Sequence, residues 1–342
     1  MPEDCVVSTP AEEVFKLVGG MSTAAIITTA AKLRLADAVG EEPADARDLA
    51  ETLGLDADVL TRLLRALVAF GVFRQVRPGV YEHTERSRAM RSDAKERLLD
   101  RLLTGTDFSW RSWGMLPDAV RTGRCPFPDG FGTDFFAYLD RHPDAQSRMF
   151  RGITASFDPL LPLIADALDI AGARSLADVG GGKGTLLRLL LEREPHLRGV
   201  LFESESTLRL ADEQLRSGPL ASRCDLVAGD FFQQITCDVD VYLFKLTLHM
   251  YDDEDCERIL RNCAAAAQPG ARIVIADPLL TDPPRSPFAP TMDLHMLLLM
   301  GGRERTAEGY QALVARSGLR MKAVTPLPRS TSLELAIVEA VV

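Results

Sequence analysis

The chain has 342 residues, enough for two domains or for one large domain with an appendage. Hydrophobic residues make up 46 % and charged residues 26 %, an ordinary soluble globular composition. The 39 Lys+Arg against 49 Asp+Glu leave a formal net charge of −10, which argues against a dedicated nucleic-acid binder and suits acidic pockets for a cationic ligand.

The N-terminal residues Glu3, Asp4, Glu12 and Glu13 are acidic, the reverse of a basic leader. The most apolar early stretch, Val18–Ala31, is short and rich in Gly, Ser and Thr, so no membrane span is expected. Residues 11–40 read as two helices separated by Gly19-Gly20, and their small apolar side chains suit close packing against a partner subunit. Next come a helix over Arg47–Leu53 closed by Gly54, and a second from Asp56 or Asp58 with Val59, Leu60, Leu63, Leu64, Leu67 and Val68 on one face. A β-hairpin follows, with Gly71–Val76 and Val80–Glu82 joined by Arg77-Pro78-Gly79. This is a winged-helix order. Acids outnumber bases in the first hundred residues, and Asp56 and Asp58 open the would-be recognition helix, where they repel phosphate. The module therefore reads as a dimerisation or lid module in preference to a DNA reader.

Residues 106–157 hold ten of the chain's aromatic residues, including Trp110, Trp113, Phe127, Phe131, Phe135, Phe136, Tyr138 and Phe150. Such a density is either a plain core or the wall of a pocket for a flat apolar ligand. With Met149, Met292, Met296 and Met300 it suggests a broad apolar substrate pocket, although methionine at helical spacing also fills cores. From about residue 158, strands and helices alternate. Strands are expected at Ser175–Val179, Gly199–Glu203, Cys224–Ala228, Val239–Phe244, Arg272–Ala276, Met321–Val324 and Leu333–Val338. Helices are expected at Leu186–Glu194, Leu208–Leu215, Glu254–Ala267, Thr291–Leu299 and Ala307–Ser317. Alternation of this kind builds a parallel sheet covered on both faces, and the last two strands, joined by a short Pro/Arg/Ser turn, add an antiparallel edge pair. The expected division is 1–105, 106–157 and 158–342. The six cysteines (Cys5, Cys125, Cys224, Cys237, Cys256 and Cys263) form no CxxC pair and have no His at metal spacing, so they read as reduced thiols of a cytoplasmic protein without a metal site.

Leu176–Thr185 is a strand running into a glycine loop and then a helix. A phosphate-binding GxxxxGK[ST] loop fails twice, since Gly184 follows Lys183 and Ala177 stands where the first glycine belongs. A dinucleotide GxGxxG fits poorly, because Thr185 stands at its last position. The remaining reading is the loop of a Rossmann-like methyltransferase, which holds the amino-acid end of S-adenosylmethionine. Glu203, ending the second strand, can accept two ribose hydroxyls. Asp230-Phe231, after the third, can bond the adenine amino group and stack on its ring. His249 lies just past the fourth strand, and a neutral imidazole is a suitable general base there. Asp277 and Glu304 supply carboxylates that would fix its tautomer. No GxSxG or activated Ser/Cys accompanies it, so nucleophilic catalysis is disfavoured.

Four motifs match one family in order and spacing: Asp178–Gly184 (DVGGGKG), Lys245–His249, Asp252–Asn262 (DDEDCERILRN) and Gly301–Thr306 (GGRERT). Over nearly its whole length the chain resembles the His-dependent small-molecule O-methyltransferases, the group of plant caffeic-acid-type and bacterial antibiotic-tailoring enzymes. The resemblance implies an α/β, Rossmann-like class I methyltransferase domain, a winged-helix-like N-terminal dimerisation domain and a homodimer. It implies that Asp178, Gly180, Gly182, Glu203, Asp230, Phe231 and Lys245 bind S-adenosylmethionine, and that His249 is the base, flanked by Asp277 and Glu304. One departure stands out. The family usually has Asp directly after the catalytic His, and here Met250 stands there. The expected activity is methylation of a hydroxyl on an aromatic or polyketide-like small molecule in secondary metabolism. The expected substrate contacts are Trp110, Trp113, Met149, Phe150, Met292 and Met296. Two alternatives remain: a relative of the same fold that uses the cofactor in decarboxylation or hydroxylation, and a winged-helix regulator that binds a small ligand.

Overall fold

The computed structural model describes residues 9–328 and 334–342. Glu3, Asp4, Cys5, most of the Pro/Arg/Ser turn and Leu333 lie outside the described residues. The chain forms two compact units. One comprises the residues up to Phe108 together with His142–Phe157; the other comprises Ser109–Arg141 and Asp158–Val342. The aromatic-rich stretch is thus shared between them.

In the first unit the expected helix pair over 11–40 becomes three helices: Pro10–Val18, Gly20–Lys32 and Leu35–Val39. Arg34, in the left-handed region at φ 54°, makes the extra break. The first two run almost without interruption, and by length and composition alone Pro10–Lys32, a longer run than Val18–Ala31, is long and apolar enough to cross a membrane. The apolar side chains of its first half are bare in the isolated chain, with Phe15 78 % and Leu17 80 % exposed. The winged-helix order is present as Ala46–Leu53, Ala57–Ala69, and the strands Phe73–Arg77 and Val80–His83. Asp56 caps the second helix, its carboxylate accepting the Val59 N–H at 2.9 Å. That helix buries Leu60, Leu64 and Leu67, whereas Val59 turns outward and is 57 % exposed. Burial follows the i, i+4, i+7 row, and Val59 lies off it.

The second unit is built on a seven-stranded sheet: β1 (Ser175–Val179), β2 (Arg198–Glu203), β3 (Cys224–Ala228), β4 (Val241–Lys245), β5 (Arg272–Pro278), β6 (Arg320–Pro326) and β7 (Leu335–Val341). Spatial order is β3-β2-β1-β4-β5-β7-β6. The first five are parallel, and β7 pairs antiparallel with both β5 and β6. The order reverses between β1 and β4, and in such sheets ligands bind beyond the strand C-termini at that switch. Burial on both sheet faces makes β4 and β5 read as continuous apolar runs. The helix expected over Leu208–Leu215 is instead two single turns, Glu205–Leu208 and Glu213–Arg216, each capped by its own Ser204 or Asp212. Cys256 and Cys263 pack with Ile259 and Leu260 on the inner face of the helix Asp253–Ala266, and burial pushes the Cys256 thiol up to about 12. This is a packing role for cysteine, not a reactive one. Part of the aromatic density is core as well. Phe127 stacks on Phe131 at 4.1 Å and meets Phe135 and Tyr138 edge-on.

Candidate active site

At the C-terminal edge of β1, the glycine loop enters the helix Thr185–Arg193. A Cβ on Gly181 would lie 2.3 Å from Asp178 Cγ, so the loop closes over that carboxyl only because the residue is glycine. Asp178 is fully buried, and neither of its carboxylate oxygens has a hydrogen-bond partner among the described residues. Burial pushes its pKa up to about 6, against the attraction of Lys245 at the end of β4. An ionised carboxylate left without donors under a loop is a site for a cationic or N–H-rich group. Glu203 stands at the end of β2, where its Oε2 accepts the Ser204 N–H at 2.6 Å, and burial raises its carboxyl too. Asp230 lies exposed two residues beyond β3, and the half-buried Phe231 ring packs against Tyr251 at 5.8 Å. Three carboxylates at successive strand ends, a lysine and an aromatic plate fit the parts of S-adenosylmethionine: a positive amino-acid end, ribose hydroxyls and a purine.

Past β4, Leu246 takes a left-handed conformation at φ 52° and turns the chain into the short 3-10 turn Leu248–Met250, which carries His249. A non-glycine residue held there is local strain that the surroundings must fix. Asp277 on β5 does so. Its two oxygens accept the backbone N–H groups of Thr247 (3.3 Å) and His249 (3.1 Å), and the Tyr310 hydroxyl donates to it at 3.4 Å. The loop after the helix Phe288–Met300 clamps the other side. The Arg303 N–H donates to the His249 carbonyl, and the buried Arg305 guanidinium donates to the carbonyls of Leu248 and Tyr251. A Cβ on Gly302 would lie 2.3 Å from that His249 carbonyl, so the approach depends on glycine.

His249 is 6 % exposed, and its Nδ1 lies 2.8 Å from Glu304 Oε1. Glu304 is held in turn by its own N–H donating to Asp293 at 2.8 Å. Burial alone would push the imidazole down; the charge and hydrogen bond of Glu304, with the charge of Asp277, carry it above its ordinary 6.5. The sequence reading had both carboxylates flanking the ring. The structure divides the work: Glu304 bonds the ring, and Asp277 bonds the backbone beneath it.

A cavity of about 320 Å³ is lined by Trp113, Pro287, Phe288, Thr291, Met292 and His295. Trp113 and Met292 were expected at a substrate pocket. Trp110 is largely exposed on the same short helix as Trp113, and Met296 is buried one turn after Met292; neither lines this cavity. Met149 and Phe150 lie in the other unit, half-buried on the helix Pro143–Phe157. Sequence reasoning did not single out Asp293, His295 or Arg305. The signal was available for the first two, which are the ionisable residues in the mainly apolar run Phe288–Met300.

A model of the O-methyltransferase domain matches residues 113–320, more than half of the chain. The chain belongs to the O-methyltransferase family. This O-methyltransferase also matches the O-methyltransferase dimerisation domain over residues 15–93, the region of the exposed apolar helices, and it is a homodimer. It is 33 % identical over 328 residues to the phenazine O-methyltransferase PhzM of Lysobacter antibioticus, covering 96 % of this chain and 95 % of that protein. Its fold matches the mitomycin 7-O-methyltransferase MmcR with a TM-score of 0.89 at 32 % identity, covering 97 % of each chain. It also matches the O-methyltransferase NcsB1 of neocarzinostatin biosynthesis, solved with S-adenosylmethionine and 2-hydroxy-5-methyl naphthoic acid. That match has a TM-score of 0.83 at 29 % identity and covers 93 % of this chain and 95 % of the other. The cofactor of this O-methyltransferase is S-adenosylmethionine.

Proposed function

We propose that the enzyme methylates a hydroxyl on an aromatic or polyketide-like small molecule of secondary metabolism, in the cytoplasm, with His249 as the general base. The observation that carries this reading is the buried His249–Glu304 pair, 2.8 Å apart, at the strand edge where the sheet order reverses. A carboxylate only accepts, so Nδ1 carries the proton and Nε2 keeps a free lone pair for the substrate hydroxyl. Bound S-adenosylmethionine supplies a methyl group already activated by its sulfonium. The chain's own contribution is to hold the reactants together and to take the proton. Asp178 and Lys245, with the turn at Gly180 and Gly182, are assigned to the amino-acid end of the cofactor, Glu203 to its ribose, and Asp230 with Phe231 to its base. Trp113 and Met292 form the substrate wall, and Trp110, Met149, Phe150 and Met296 are further candidate contacts. Residues 1–105 serve dimerisation, 106–157 link, and 158–342 carry the chemistry.

Only neutral His249 accepts a proton, and Glu304 raises its pKa, so kcat/KM should rise with pH through a limb above 6.5. Glu304→Gln removes the charge and leaves burial in control. The limb should move acidward, with a lower plateau. A pH–rate profile whose limb stays in place removes Glu304 from this role.

Asp178 gives a prediction about the cofactor-free protein. Its carboxyl binds a proton more tightly folded than unfolded, so its contribution is favourable at low pH and is lost as pH rises from about 4 to about 6. Above that, the buried charge costs about 3 kcal/mol. Asp178→Asn should therefore gain about that much stability relative to wild type between pH 4 and 7, while losing cofactor affinity. Parallel urea titrations at the two pH values with an unchanged difference count against the buried-charge account.

A further inference from the structure

The cavity that holds the proposed substrate has one feature the proton transfer does not use. His295 lies on its wall with its ring stacked on Trp113, centroids 5.9 Å apart and planes 22° from parallel. Neither ring nitrogen has a hydrogen-bond partner among the described residues. The rest of the lining is Pro287, Phe288, Met292, Trp113 and the hydroxyl-bearing Thr291, with no Lys or Arg. An imidazole on an apolar wall, held flat by an indole and left without partners, offers one N–H and one lone pair to whatever lies in the cavity.

We propose that His295 is a specificity-determining residue that selects aromatic substrates bearing an uncharged hydrogen-bonding oxygen, a second hydroxyl or a carbonyl, beside the hydroxyl that is methylated. This rests on the methyltransferase reading of the site. Two observations fix the class of substituent. The lining holds no Lys or Arg, so it offers a substrate carboxylate no counter-ion. The ring cannot readily become that counter-ion. Burial, and then the charge of His249, push its pKa down to about 4, so the charged form is disfavoured about a thousandfold at pH 7. The two histidines thus have opposite environments. His249 has a carboxylate and is raised; His295 has none and stays neutral. A site built to hydrogen-bond a substrate oxygen rejects the analogue lacking it, because the polar group is then buried unpaired.

Three probes share one ring system and differ only beside the hydroxyl: 2-naphthol, 2,3-dihydroxynaphthalene and 3-hydroxy-2-naphthoate. Binding to the full-length protein saturated with S-adenosylhomocysteine is measured by calorimetry, and turnover with labelled S-adenosylmethionine is measured in parallel. The wild type should bind the dihydroxy probe at least about tenfold more tightly than the other two at pH 7. His295→Leu should bring the ratio to within about twofold, and His295→Gln should restore part of it. Equal binding of the three probes by the wild type, or a preference that survives in His295→Leu, overturns the proposal. Discrimination in binding without methylation of any probe would leave the proposal standing and count against the methyltransferase reading instead. Methylation without discrimination would do the reverse. Circular dichroism of each variant confirms that a lost ratio is not a lost fold.

Discussion

His249→Ala should lose about 10²–10⁴-fold in turnover near pH 7 while still binding S-adenosylmethionine. A phenol has a pKa of about 10, so almost none of it is ionised at neutral pH, and the oxygen is a poor nucleophile until its proton leaves. His249 is the only ionisable side chain on the 3-10 turn past β4, and its ring is oriented by a carboxylate 2.8 Å away. The residues proposed to hold the cofactor sit mainly on other strand ends, so their geometry survives the substitution. The deficit should shrink as assay pH approaches the phenol's own pKa, where solvent supplies the phenolate. Asp277→Asn should have a different signature. Its carboxylate holds two backbone N–H groups of the turn and not the ring, so the variant should lose thermal stability along with rate. Normal turnover by His249→Ala at pH 7 would mean that proximity alone carries the reaction.

Glu203→Ala should weaken S-adenosylmethionine binding about 10²–10⁴-fold. Two hydrogen bonds from ribose hydroxyls to a charged acceptor are worth about 1.5–3 kcal/mol each. Burial already raises this carboxyl, and a ligand that donates to both oxygens repays that cost. Isothermal titration of the variant shows the loss directly, and unchanged affinity takes Glu203 out of the site. Glu203→Gln, which keeps the shape, should fall between the two.

Much of this arrangement was legible in the sequence for a physical reason. Strands buried on both faces write continuous apolar runs, and a glycine loop between strand and helix marks one place in the fold. Glu203, Lys245, His249 and Asp277 could therefore be placed at strand ends by counting along the chain. What stayed hidden was whatever depends on contacts across the fold. The pairing of Glu304 with the imidazole and of Asp277 with the backbone is decided by how residues 301–305 lie over the Leu248–Met250 turn, and no spacing rule encodes that. His295 was missed because it sits in an apolar helix at core spacing, where only its neighbour Trp113, 182 residues earlier, reveals a cavity wall. Met250, in the place of the family's Asp, is half-buried, and its N–H donates to the Thr247 carbonyl within the turn. The turn keeps its hydrogen bonds with methionine in that place.

The central claim is that the enzyme moves a methyl group from S-adenosylmethionine to a substrate oxygen. It is tested most directly by mass spectrometry of both products after incubating the purified homodimer with S-adenosylmethionine and 2,3-dihydroxynaphthalene. The account predicts S-adenosylhomocysteine and a mono-O-methyl ether in equal amounts, both nearly absent with His249→Ala at pH 7. A product that gains an oxygen, with the cofactor recovered intact, would contradict it.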